Sequence, residues 1–234
     1  MSKVMKYEEL GKGVVKRVQR REVGLFIDGI SLDRAARRLN RRVDLAALVK
    51  GVTSGLSPRV ARYYTLIPYE DDSRQRAFLD AVSRAGLTVV VKRLPPKGVN
   101  RQVSIDSEMA ADIVAFALGH TQFRVTPELE ESHNGHHERP SIMPFQRGKG
   151  AARTSAGEEE SQQRTEESQN DAPISRIVTV VCPSRDLSYP ISLVKDFGVD
   201  TVTADFGQFS GGDVLKSAAK WIDLSDSETI WMAS

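Results

Sequence analysis

Apolar residues in this chain come in short runs, separated by longer segments in which they recur every third or fourth position. The runs are "VGLFI" (23–27), "VARYYTLI" (60–67), "LTVVVKRL" (87–94) and "RIVTVVC" (176–182). They are near-continuous in apolar character and rich in β-branched or aromatic residues, as strands buried on both faces are. Helical patterns lie between them: Leu32 to Leu39, Leu45 to Val49, "DSRQRAFLDAVSRAG" ended by Gly86, and "SIDSEMAADIVAFAL". After the fourth run come a helix "LSYPISLVKDFG" starting around Pro190, a short strand "VDTVTA" and a closing helix "GGDVLKSAAKWIDL". Strands alternating with helices predict an α/β domain, with a mainly parallel central sheet and helices on both faces.

The alternation is broken once. The stretch "TPELEESHNGHHERPSIMPFQRGKGAARTSAGEEESQQRTEESQNDAP" has no sustained apolar period and is rich in Glu, Gln, Ser, Gly and Arg. This marks residues 120–175 as a disordered insertion within a domain built from 23–119 and 176–224. Residues 1–22 form a basic amino-terminal extension and 225–234 a tail. His133, His136 and His137 fall in the insertion, where their spacing is compatible with a transition metal and equally with a solvated linker.

Charge is uneven. Residues 126–171 hold ten acidic and five basic side chains, a local balance of −5 that leaves the rest at +7 against a net +2. Arg34, Arg37, Arg38 and Arg41 lie three or four apart, which gathers their charge toward one side of a helix. Such a face suits phosphates, or serves solubility alone. No apolar run approaches the roughly 18 residues that span a bilayer. The charged amino terminus is unlike a secretory signal, and the single cysteine, Cys182, forms no internal disulfide. A soluble, cytoplasmic protein is expected.

The chemistry lies in the aspartates. Asp28 closes the first apolar run and Asp186 follows the fourth; open α/β sheets bind ligands beyond the carboxyl ends of their strands. The helix from Ser104 carries Asp106 at its start, then Glu108 and Asp112, which are one turn apart. Taken singly, each aspartate reads as a cap or a turn residue. Taken together, carboxylates that repel one another call for a hard cation such as Mg2+ or Mn2+, which can activate water and stabilise a leaving oxygen.

These residues resemble the NYN family, also described as LabA-like, of the PIN-domain nuclease superfamily. "FIDGIS" is similar to the family's D-G-x-N strand end through Asp28 and Gly29, with Ser31 where Asn is usual. "SIDSEMAADIV" resembles the second motif through Asp106 and Asp112, and "CPSRDLSYPI" resembles the third through Ser184, Asp186, Tyr189 and Pro190. The resemblance implies a three-layer PIN-like, Rossmann-like fold. It also implies a divalent ion on Asp28, Asp106, Asp112 and Asp186, supported by Ser31, Glu108, Ser184 and Ser188, and an RNA substrate held by Arg34, Arg37, Arg38, Arg41 and Arg185.

The departures from the family pattern are specific. Arg185 replaces a glycine, Ser188 replaces the third motif's second aspartate, and the lysine common before the second motif has only Arg101 as a nearby substitute. Two readings stand side by side: a metal-dependent ribonuclease, and a degenerate NYN-like domain that binds RNA or a protein partner, or pairs with a second copy, without cutting. A third reading, another α/β protein such as a nucleotide-binding module or a phosphatase, has only "FSGGDV" as a faint phosphate loop. Tyr63 and Tyr64 are candidates to stack bases, against the usual division of a strand pair into one core and one surface residue.

Overall fold

The computed structural model describes residues 20–70, 73–123, 174–225 and 230–232. The strands are β1 (Arg20–Asp28), β2 (Val60–Ile67), β3 (Thr88–Arg93), β4 (Ile174–Val181), β5 (Asp200–Asp205) and β6 (Lys220–Asp223). The helices are α1 (Gly29–Arg38), α2 (Leu45–Val52), α3 (Ser73–Arg84), α4 (Asp106–Ala117), α5 (Ser188–Asp196) and α6 (Gly212–Ser217), with a 3-10 turn at Arg185–Leu187. All six strands are parallel, in the order β3-β2-β1-β4-β5-β6. The order reverses between β1 and β4, so the crevice beyond their carboxyl ends is the natural place for a ligand. This is a PIN-like three-layer arrangement.

Alternation along the strands divides the core. Leu25, Ile27, Tyr63, Val89 and Val91 face the layer of α1, α2 and α3. Phe26, Tyr64, Val90, Val178 and Val180 face that of α4 and α5. Tyr63 and Tyr64 therefore lie on opposite faces of the sheet, and both are buried. In β1, Gly24 is required by a close approach: a Cβ there would meet the Phe116 ring at 2.6 Å, where Phe116 packs edge-on against Phe26.

Four boundaries differ from the sequence pattern. β1 begins at Arg20 and β4 at Ile174, because the two strands pair along their whole length, Arg20 beside Ile174. α5 starts at Ser188, ahead of Pro190, since proline fits a helix's first turn. The closing segment is a six-residue helix followed by β6 rather than one long helix; "KWID" supplies the sheet's last strand. Within the expected tail, Ile230 and Trp231 are buried in the core and Trp231 bridges to Val43. The three insertion histidines and most of the amino-terminal extension lie outside the described residues. Among the described residues no helix is long and apolar enough to cross a membrane.

One buried ion pair ties α4 to the sheet. The Arg62 guanidinium lies 3.1 Å from the Asp112 carboxylate, which also accepts the Tyr64 hydroxyl at 2.7 Å, and the Phe123 ring lies against Arg62. Arg62→Ala should cost roughly 1–3 kcal/mol in urea denaturation, because it leaves a partly buried carboxylate without its cation. A loss under about 1 kcal/mol would place the pair among ordinary surface bridges.

Candidate active site

Asp28 is the last residue of β1 and the N-cap of α1. One carboxylate oxygen accepts the amides of Ile30 and Ser31, both at 3.0 Å, and the other accepts the Ser31 hydroxyl at 2.7 Å. Ser31 thus orients Asp28 in place of the family's carboxamide. The turn is tight: a Cβ on Gly29 would fall 2.3 Å from the Tyr63 ring. Asp28 is only 3% exposed. Burial lifts its pKa, the Ser31 hydrogen bonds oppose this, and the charge of Asp106 lifts it further. Cap and candidate ligand are therefore the same residue.

Asp106 comes from the first turn of α4. Its carboxylate accepts the hydroxyl of Ser104 on one oxygen and that of Ser184, at 2.7 Å, on the other. Ser184 arrives from the end of β4 by way of Cys182, whose φ of 50° is in the left-handed region and turns the chain out of the strand. Burial pushes the Cys182 thiol well above its ordinary range, so it is no nucleophile at neutral pH.

The other expected ligands do not join Asp28 and Asp106. Asp112 lies further down α4, toward the start of β2, engaged by Arg62 and Tyr64. Asp186 is exposed on the 3-10 turn. Glu108 bonds to Lys92 at 2.7 Å and to Ser107; burial alone would raise its pKa, but these bonds hold it low. Ser188 donates to the Arg185 carbonyl and closes that turn. Among the described residues no group of three or more His, Cys, Asp or Glu side chains is placed to hold a metal ion. Lys92 also donates to the Ser104 carbonyl at 2.8 Å and so ties both Ser104 and Glu108 to β3.

A cleft of about 480 Å3 adjoins the Asp28 turn. Ser31, Arg34 and Arg38 of α1 line one side, and Cys182, Ser184, Arg185 and Asp205 line the other. Arg185 is paired with Asp213 at 3.1 Å. Arg37 and Arg41 are not part of this cleft: Arg37 lies on the other flank of α1 and Arg41 beyond the helix, and both border a separate hollow. Asp205 was not among the candidates, although "VDTVTAD" ends in a carboxylate just as "GLFID" does. It is buried at the end of β5 and accepts the Phe206 amide at 2.8 Å; burial raises its pKa above the usual aspartate value.

The all-parallel sheet and its flanking helices make this an α/β fold of PIN-like, three-layer class. Residues 22–123 match the family model of the NYN domain. The match ends before β4, so the third motif lies beyond it. A solved structure of a protein of unknown function from Vibrio parahaemolyticus is similar in fold. Its TM-score is 0.57 at 10% identity, covering 92% of this chain and 97% of that one. No curated protein sequence matches the chain significantly.

Asp205 gives a signed pH prediction. With its pKa raised in the folded state, its contribution to stability is fully present below the ordinary value of 3.8 and is lost as pH rises through the folded value. Asp205→Asn should therefore melt higher than the wild type at neutral pH, and the gap should close toward about pH 3. A gap that does not change with pH would assign the effect to packing.

Proposed function

We propose that this cleft is the catalytic site of a divalent-cation-dependent ribonuclease. The observation that carries the reading is that Asp28 and Asp106, from a strand end and a helix start far apart in sequence, are each hydrogen-bonded by a serine that lines this cleft, Ser31 and Ser184.

The donor set suits a hard ion. Mg2+ and Mn2+ take oxygen ligands, and Mg2+ commonly binds one or two carboxylates while keeping several waters, so Asp28 and Asp106 would suffice without a third acid. Such an ion, when bound, supplies positive charge that activates water and offsets charge on the phosphate. The chain's own residues do the rest. The Ile30 and Ser31 amides and the Ser31 hydroxyl fix Asp28, while Ser104 and Ser184 fix Asp106. Arg34 and Arg38, on the cleft wall, would hold the substrate phosphates. Asp112 has a different part: its pairing with Arg62 anchors α4, and so holds Asp106 at the edge.

A second reading, an RNA-binding domain that does not cut, is favoured by one observation: no three-acid group is placed for a metal among the described residues. Kinetics separate the two. Cleavage of labelled RNA should require Mg2+ or Mn2+, and Asp28→Asn or Asp106→Asn should lower the rate about a hundredfold or more. Asp186→Asn should have a much smaller effect, given its exposed position. Full activity in the Asp28 and Asp106 variants would sink the catalytic assignment; RNA binding with no cleavage in any protein would establish the second reading.

A further inference from the structure

The basic series of α1 and the turn that follows it is split between two concavities. Arg34 and Arg38 line the carboxylate cleft, whereas Arg37, Arg41 and Arg42 rim a groove of about 740 Å3 bounded by α1, α2 and α3. The groove is apolar inside. Phe78 stands in it, packed edge-on against Tyr63 with centroids 6.0 Å apart, and remains 43% exposed. Arg84 completes a rim of four arginines against Asp33 and Asp44. Asp33 is paired with Arg37 and Asp44 caps α2, so the charge of the rim favours an anionic guest.

Two of the arginines rest on aromatic rings. The Arg38 guanidinium lies 5.3 Å from the Phe209 centroid, and that of Arg41 lies 4.5 Å from the Trp231 ring. The rings are themselves joined: Phe206 stacks on Trp231 at 5.6 Å and touches Phe209 at 6.4 Å. Arg38, Phe209, Phe206, Trp231 and Arg41 thus form one row, buried at Phe206 and Trp231 and exposed at both cations. A free arginine gives up rotamer entropy when it is fixed. A guanidinium already seated on a ring has lost part of that freedom on folding, so a phosphate binds it at lower cost.

We propose that this row is a bridge for single-stranded RNA, which passes from the carboxylate cleft over the end of α1 into the groove. Arg38 and Arg41 take successive phosphates, and a base enters the groove against Phe78. The choice of RNA rests on the ribonuclease reading, but cleavage is not required. A single strand fits because its bases turn out to stack on aromatic rings while its phosphates follow a cationic track; a duplex keeps its bases paired. An acidic protein segment would satisfy the charge but brings no planar base to the Phe78 ring.

The test is fluorescence anisotropy with the full chain in EDTA, using a labelled oligoribonucleotide as a single strand and as a duplex. The single strand should bind about tenfold tighter than the duplex. Arg38→Lys with Arg41→Lys keeps the charge and loses the planar fork and its ring contact, and should weaken single-strand binding about tenfold. Phe78→Ala and Phe78→Leu should each weaken it by roughly five- to tenfold while leaving duplex binding unchanged. Wild-type affinity in the lysine pair or in both Phe78 variants, or polyglutamate competing as well as the single strand, would overturn the proposal. So would absence of RNA binding. Binding retained without cleavage in a parallel Mg2+ assay defeats only the nuclease reading.

Discussion

A carboxylate at the end of a buried strand must find donors, and Asp28 finds them in the first turn of the helix that follows it. The exposed amides of a helix start are short of acceptors, and a buried carboxylate is short of donors, so each supplies what the other lacks. This exchange sets the direction in which α1 leaves β1. It therefore also decides that α1 lies between two concavities, with Arg34 and Arg38 on one side and Arg37 and Arg41 on the other. Gly29 is held to its minimal side chain by the Tyr63 ring, so the turn has little room to take another path.

α4 is fixed at both ends of its first two turns. Lys92 holds the start through the Ser104 carbonyl and Glu108, and the Arg62 and Tyr64 side chains hold Asp112 lower down. Asp106 lies between these anchors and takes its remaining hydrogen bond from Ser184, across the switch point. Two loops that never meet in sequence are joined there by a single hydroxyl. Asp106 and Asp112, which share one family-like motif, thus part company: one bonds across to Ser184 and the other anchors the helix.

The strands, their order of appearance and the principal helices were legible because each apolar run is long enough to cross a buried sheet. β6 was not: "KWID" follows a short helix, its side chains are only partly covered, and its identity as a strand comes from pairing with β5. Asp28 and Asp106 could be placed from strand-end and helix-start positions. Asp112 could not be distinguished from them, since helical spacing gives its angle about the axis but not the partner it meets, and Arg62 lies in another strand. The arginine series failed as one face for a related reason. Neighbours at three and four residues diverge enough to border different hollows, and their ring partners, Phe209 and Trp231, come from the far end of the chain.

Gly119 and Arg176 lie side by side: a Cβ on the glycine would be 3.1 Å from the guanidinium. The chain therefore departs after α4 and rejoins at β4 through neighbouring points, at the amino ends of the strands. The candidate site is at the opposite, carboxyl edge. Joining nearby ends depends only weakly on the number of residues between them. That geometry makes the junction a splice point, where sequence can be lengthened, shortened or exchanged under selection separate from the selection acting on the carboxylates.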